Sequence, residues 1–204
     1  MVESLRGISG SMFSGKTDIL IKDIRRAEIA GRNVQVFKPA IDDRWGEVDK
    51  ISSRSGAEHE ALAVKKASDI IENIRPDTDT VAIDEIQFFD PEIITIVQAL
   101  LESDIRVIIA GLSLDFRGEP FGSMPVLLSL CDDIEKSTAI CTEIVNGKKC
   151  GAEATKTQRL INGKPACYSD PIVLIGDAEE GYQARCVKHH KVPGKPNPKI
   201  ELKH

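Results

Sequence analysis

The segment Gly10-Ser11-Met12-Phe13-Ser14-Gly15-Lys16-Thr17 constrains this chain more than any other. Its spacing, G-x-x-x-x-G-K-T, is that of a phosphate-binding loop. Leu5 to Ile8 reads as the strand before it, and Lys16 to Ala30 as an amphipathic helix after it. Glycines let successive backbone N–H groups converge on one anion, and the helix aims its partly positive N-terminus at the same point. Lys16 would neutralise terminal phosphates, and the Thr17 hydroxyl would ligate magnesium. A Gly/Ser turn before an ordinary helix is the plain alternative; it requires four fixed positions to coincide in the right setting.

The rest of the first 140 residues alternates strands and helices. Asn33 to Lys38 alternates like a strand, Ala67 to Ile74 has helical spacing, and Thr80 to Asp84 reads as a buried strand ending in acid. Pro91 suits a first helical turn before Ile93, Ile94, Val97, Leu100 and Leu101. Ile105 to Ala110 reads as a strand, Met124 to Cys131 as a helix, and Ile134 to Ala139 as a strand. This rhythm predicts an α/β fold with a parallel sheet covered on both faces. From Cys141 the pattern breaks into short strands and turns. The expected division is a phosphate-binding domain over 1–140, a second small domain over 141–191 and a weakly ordered tail over 192–204. The tail carries Pro193, Pro196 and Pro198.

Composition narrows the function classes. The 204 residues are 41% hydrophobic and 29% charged, with a net charge of −5. An acidic chain is a poor candidate for nucleic-acid binding, which relies on phosphate neutralisation. Glu3 and Arg6 interrupt the first residues, and no run of about twenty apolar residues occurs. No signal peptide, no membrane partner and a cytoplasmic location are therefore expected. Five cysteines without a secretory signal favour metal binding or free thiols over disulfides.

Asp84-Glu85 is the second constellation. It is expected at the carboxyl end of a strand adjacent to the phosphate-loop strand, where Asp84 can hold magnesium. Glu85 would face the cleft and accept the proton of an attacking oxygen. That base could serve water, giving an ATPase, or a substrate hydroxyl, giving a kinase. The third constellation is a candidate zinc site. Cys141 and Cys150 flank an Asn146-Gly147 hairpin signal, and Cys186 and His189 stand in C-x-x-H spacing. His190 is the competing fourth ligand. Cys131 shares an apolar helical face with Val126, Leu127 and Leu130 and reads as core; Cys167 lies in a loop without a spaced partner.

Taken in order, GSMFSGKT, IDEIQFF, AGLSLDFRGEPFG, TQRLINGKPACYSDPIVLIG and GYQARCVKHH resemble the cellular-type (type II) thymidine kinases, from about Ile8 to His190. The resemblance implies a RecA-like P-loop domain with a parallel sheet, plus a small zinc-containing domain with a lasso loop. It implies ATP-dependent phosphorylation of thymidine, and of deoxyuridine, at the 5′-hydroxyl in nucleotide salvage. It also implies a homotetramer and feedback inhibition by thymidine triphosphate.

Residue by residue, Gly10, Ser11, Met12, Phe13, Ser14, Gly15, Lys16 and Thr17 match the ATP-phosphate loop. Asp84 matches the magnesium-associated aspartate, with Thr17, and Glu85 the catalytic base. Asp42 and Arg44 match a D-x-R element near the phosphates. Met12, Leu112, Phe116, Phe121, Thr157 and Tyr182 match residues around the nucleoside. The lasso corresponds to Leu160 to Gly176, in which Ile172, Val173, Leu174, Ile175 and Gly176 offer backbone groups to the base. On their own, Leu112 and Phe121 fit a core, Arg44 a solvated loop charge and Tyr182 an ordinary strand aromatic. Three departures from the family pattern stand out. An insertion separates Cys141 from Cys150, Ile86 precedes Gln87 where relatives often carry glycine, and the turn from Asp177 to Gly181 is longer than in some relatives. The rival readings are a RecA-like ATPase, a zinc module with nucleotide only as ligand, and a kinase for another nucleoside.

Overall fold

A computed structural model describes residues 4–40, 50–173 and 180–196. Chain order begins β1 (Leu5–Gly10), α1 (Lys16–Ile29) and β2 (Val34–Pro39). A short hairpin of β3 (Lys50–Ser52) and β4 (Glu58–Glu60) follows, then β5 (Leu62–Val64) and α2 (Ser68–Glu72). Next come β6 (Thr80–Ile83), α3 (Ile93–Glu102), β7 (Arg106–Gly111), α4 (Met124–Leu130) and β8 (Asp133–Ser137). Six strands form one sheet in the order β5-β2-β6-β7-β1-β8. Every pairing in it is parallel.

Strand alternation divides the apolar side chains between two faces. Val81 and Ile83 of β6, with Val107 and Ile109 of β7, pack on one face beneath α3 and α4 through Ile93, Val97, Leu100, Met124 and Leu127. Ala82, Ile108 and Ala110 point the other way, against Leu20, Ile21 and Ile24 of α1. The central strands are thus covered on both sides, as their unbroken apolar runs predict. β8 differs. It is the edge strand, and Ile134 remains 49% exposed. Leu127 of α4 is fully buried, but Val126 and Leu130 are exposed and Cys131 is half-buried, so the predicted apolar face of α4 is core on one side only.

One expected adjacency is corrected. β6, which ends at the Asp84-Glu85 pair, does not neighbour β1; β7 lies between them, paired to both. α3 lies between β6 and β7, and α4 between β7 and β8, each returning the chain so that the next strand runs parallel. The order of the parallel strands is then free to interleave, and local sequence does not encode it.

The remaining strands form small antiparallel sheets. β9 (Ala139–Ile140) pairs with β12 (Glu153–Ala154), and β10 (Ile144–Val145) with β11 (Lys148–Lys149). β13 (Lys156–Ile161) lies between β14 (Lys164–Pro165) and β15 (Glu180–Arg185). The segment expected to loop from Leu160 therefore starts as a hairpin, with Asn162 and Gly163 at φ 50° and 73° in its turn. At the C-terminal side, the Tyr168 amide donates to Pro193 O at 2.8 Å and Lys195 Nζ donates to Arg117 O. Among the described residues no helix is long and apolar enough to cross a membrane.

Candidate functional site

β1 delivers the chain to the phosphate-binding loop, and α1 begins inside it. Gly15 takes a left-handed φ of 79°, which a side chain would strain, and hands the chain to Lys16 at the helix start. Gly10 is required for space: a Cβ there would lie 2.4 Å from both Ser137 O and Ser14 Oγ. Ser14 Oγ donates to Ser11 O at 2.8 Å, closing the loop on itself. Lys16 is 7% exposed and its Nζ donates to Ser11 O at 3.1 Å. Burial pushes the Lys16 ammonium below its ordinary range, while Glu85 and Asp84 pull it back. An anion in the loop would act in the same direction as those carboxylates.

Although β7 separates their strands, the two acidic residues reach the loop. Thr17 Oγ1 donates to Asp84 Oδ2 at 3.3 Å, so the expected magnesium pair stands together. The donor set, one hydroxyl and one carboxylate beside a phosphate loop, fits magnesium. Asp84 Oδ1 accepts the Glu85 amide at 2.9 Å, and Glu85 itself sits at φ 49°, ψ 38°. A cleft of about 430 Å³ is lined by Met12, Lys16, Thr17, Asp84 and Glu85 on this side. Its opposite wall was not anticipated. Lys38, Lys50, Ile51 and Arg54 line it, from β2 and the β3–β4 hairpin. Lys38 is buried and donates to Lys50 O at 2.7 Å, and the Arg54 guanidinium lies 3.8 Å from the Phe13 ring centroid. Lys38 sits at the end of a predicted strand, where a lone lysine reads in the sequence as a solvated charge.

The residues matched to a nucleoside pocket come from three directions. Met12 N donates to Thr157 Oγ1 at 3.0 Å, and Ser11 Oγ to Ala154 O at 2.8 Å, so the phosphate loop docks on the C-terminal strands. Leu112 and Phe116 are buried; Phe121 is half-buried and meets Phe88 edge-on at 5.4 Å. Asp115, 2% exposed, accepts the amides of Arg117 and Glu119 at 2.9 and 3.0 Å and thereby shapes the turn that carries Phe116. Arg159 is fully buried, lies 5.3 Å from the Phe116 centroid, donates to Pro171 O at 2.5 Å and stands opposite Tyr182 in the β13–β15 register. Sequence reasoning missed both Asp115 and Arg159. Tyr182 is half-buried, Ile172 is 39% exposed and Val173 is half-buried. None of these pocket residues but Met12 lines the 430 Å³ cleft itself. Asp42, Arg44, Leu174, Ile175 and Gly176 lie outside the described residues.

The cysteine cluster forms as the spacing predicts. Asn146 and Gly147 at φ 50° and 77° make the tight turn between β10 and β11, and the hairpin returns Cys150 to Cys141. Ligand atoms of Cys141, Cys150, Cys186 and His189 all lie within 4.8 Å of one another. His189 Nδ1 is 3.6 Å from Cys141 Sγ and 3.4 Å from Cys186 Sγ. Three sulfurs and one imidazole nitrogen at such separations fit a closed tetrahedral zinc site. His190 turns away: its Nε2 is 2.8 Å from Phe116 O, and burial together with Lys156 and Lys195 holds its pKa below the ordinary value. Burial would raise the Cys141 thiol, but backbone hydrogen bonds at Cys186 and Glu143 and the contact with His189 outweigh it and lower it to about 6. Cys150 moves upward: its backbone bond to Ala152 acts against this, but burial and the Cys141 and Cys186 sulfurs prevail. Cys131 and Cys167 stand apart from this group.

Solved structures similar to the chain include the genome packaging NTPase B204 of Sulfolobus turreted icosahedral virus 2, at 15% identity and a TM-score of 0.42, covering 72% of this chain and 79% of that one. A DNA replication initiation factor matches at 16% identity and 0.39, covering 67% and 40%. The ATPase DotB of Legionella pneumophila matches at 15% and 0.40, covering 64% and 35%. The chain thus spans less than half the length of the last two. A family model described as thymidine kinase matches residues 3–190. That match takes in the phosphate loop, the Asp84-Glu85 pair and all four members of the cysteine–histidine cluster, and this chain belongs to the thymidine kinase family of phosphotransferases.

Proposed function

We propose that the protein transfers the γ-phosphoryl group of ATP to the 5′-hydroxyl of thymidine and of deoxyuridine. The observation that carries this reading is the shared cleft: the Glu85 carboxylate lines the same space as Lys16 and the Thr17–Asp84 pair. A primary hydroxyl is a poor nucleophile at neutral pH, so Glu85 accepts its proton as attack proceeds. Lys16 and the loop amides spread charge away from the transferring group. Thr17 and Asp84 would hold the magnesium that accompanies ATP, which would offset negative charge on the phosphates. Much of the acceleration comes from alignment of the 5′-oxygen with the γ-phosphorus.

On the acceptor side, Met12, Leu112, Phe116, Phe121, Thr157 and Tyr182 surround the nucleoside, and 172–176 reads the base through main-chain groups. Thymine offers a donor at N3, which cytosine lacks, so a buried acceptor facing N3 would be left unpaired by cytosine. Asp42 and Arg44 would assist at the phosphates. The division into 1–140, 141–191 and 192–204, the structural zinc, a cytoplasmic homotetramer, inhibition by thymidine triphosphate and a place in nucleotide salvage belong to the same reading, supported by family membership.

The test is an ATP-dependent phosphorylation assay across thymidine, deoxyuridine, deoxycytidine and a control without acceptor. Monophosphate from the first two, with little from deoxycytidine, is the expected result. ATP hydrolysis independent of any nucleoside would replace this reading with an ATPase.

A further inference from the structure

Gln87 occupies an unusual position for a polar side chain. It lies in the single helical turn Ile86–Phe88 directly after Glu85 and is only 3% exposed. Its Oε1 accepts the Leu112 amide at 3.0 Å, and its Nε2 donates to Glu85 Oε2 at 2.5 Å. The first bond fixes the direction of the second. The Leu112 N–H can only donate, so the carboxamide must present oxygen to it and nitrogen to Glu85, which as a carboxylate only accepts.

Both the carboxamide and the backbone of Gln87 are closely enclosed. A Cβ on Gly111 would fall 2.4 Å from Gln87 Oε1, and one on Gly122 would fall 2.2 Å from Gln87 O. Glycine at the end of β7 and glycine in the following loop thus leave the space this residue fills. Glu85 meanwhile holds a left-handed backbone, φ 49°, which a non-glycine residue adopts only when its surroundings impose it. One carboxylate oxygen tied to Nε2 leaves the other for an acceptor hydroxyl.

We propose that Gln87 is a positioning residue for the Glu85 carboxylate: it ties the base to the main chain at Leu112, on the nucleoside side of the cleft, so that base and acceptor wall keep one geometry. The proposal rests on Glu85 being the base. No other side chain of similar size supplies both bonds. A glutamate would satisfy Leu112 but face Glu85 with like charge, an asparagine is one methylene short, and a methionine has no donor.

The test uses the full chain with Gln87→Met and Gln87→Glu, each checked by thermal melting. Both should lower kcat about ten- to a hundredfold, as expected for loss of a hydrogen bond to a charged group, with KM for ATP within about twofold. The decisive comparison is Gln87→Met in a Glu85→Ala background, read by single-turnover phosphorylation with labelled ATP. With the carboxylate gone, the Gln87 substitution should cost nothing further. Losses that multiply would mean that Gln87 only supports the fold, and would overturn the proposal. Folded variants with near-normal kcat would overturn it equally. If Gln87→Met fails to fold, Gln87→Glu decides: it keeps the Leu112 bond and replaces the donor to Glu85 with a like charge, so near-normal kcat in that variant would overturn the proposal. Near-normal turnover in Glu85→Ala alone would instead refute the assignment of the base, a separate outcome.

Discussion

Removing metal from the Cys141–Cys150–Cys186–His189 cluster should unfold the strands around it while leaving the six-stranded sheet intact. The reason is the size of the local core. Its buried members are Ala139, Cys141, Ala154, Ala184 and Cys186, with no large apolar side chain among them. At about 0.8 kcal/mol per buried carbon, the three alanine methyls contribute only about 2–3 kcal/mol. Ordering even ten residues of backbone costs about 10–20 kcal/mol. Structural zinc in small metal-folded peptides supplies about 10–16 kcal/mol at neutral pH, the size needed to close that gap. The larger sheet has no such dependence, because Leu5, Phe37, Ile83, Ile93, Leu100 and their neighbours form a core of their own.

Hydrogen exchange with mass spectrometry, before and after zinc removal by a strong chelator, reads this directly. Amides of β9 to β12 should lose protection, and those of β6 and β7 should keep it. Because Ser11 and Met12 hydrogen-bond to Ala154 and Thr157, ATP affinity should fall modestly at the same time. Acid should have the same effect as the chelator, because the three thiols must lose their protons and the imidazole must be neutral to bind the metal. Elemental analysis finding no zinc in protein purified without added metal, or unchanged exchange after verified stripping, would refute the reasoning.

Glu85→Gln should retain ATP binding and lose turnover by about a hundredfold or more; near-normal kcat in the purified variant would remove Glu85 as the base. Gly10→Ala puts a methyl where Ser137 O and Ser14 Oγ already stand, so denaturant melts should show destabilisation by about 1–3 kcal/mol and titrations weaker ATP binding. Deoxycytidine should be at least about a hundredfold poorer than thymidine in kcat/KM, and comparable turnover of the two would replace the pocket read by main-chain groups with a broader one.

What could be read from the sequence divides along physical lines. The phosphate loop, its flanking strand and helix, and the Asn146-Gly147 hairpin were legible because each depends on neighbours within a few residues: a glycine at positive φ, a helix start, a two-residue turn. The cysteine cluster was legible because thiols and imidazole carry chemistry that spacing reveals. Placement of β7 between β1 and β6 was not, since strand order is set by how helices pack across a sheet. Lys38 and Arg159 were missed for a related reason. Each is a cation inside a strand, which looks like a solvated charge until the fold shows it buried against Lys50 O or Phe116.

The phosphate loop and the segments proposed to hold the acceptor are joined by hydrogen bonds that each involve a main-chain atom. Ser11 and Met12 tie the phosphate loop to β12 and β13, and Gln87 ties the loop after β6 to the end of β7. The first two links use a short hydroxyl and a main-chain amide, and the longer Gln87 side chain is held at both its oxygen and its nitrogen, so little rotamer freedom is left in them. A phosphoryl donor held by the loop and an acceptor held by the strands beyond it would consequently be set at a spacing fixed by the fold. In-line transfer depends on that alignment, and its effect on rate falls steeply when the reacting atoms drift by an ångström. The same links explain why changes outside the phosphate loop, at Thr157 or in the cysteine–histidine cluster, should register as altered turnover as well as altered stability.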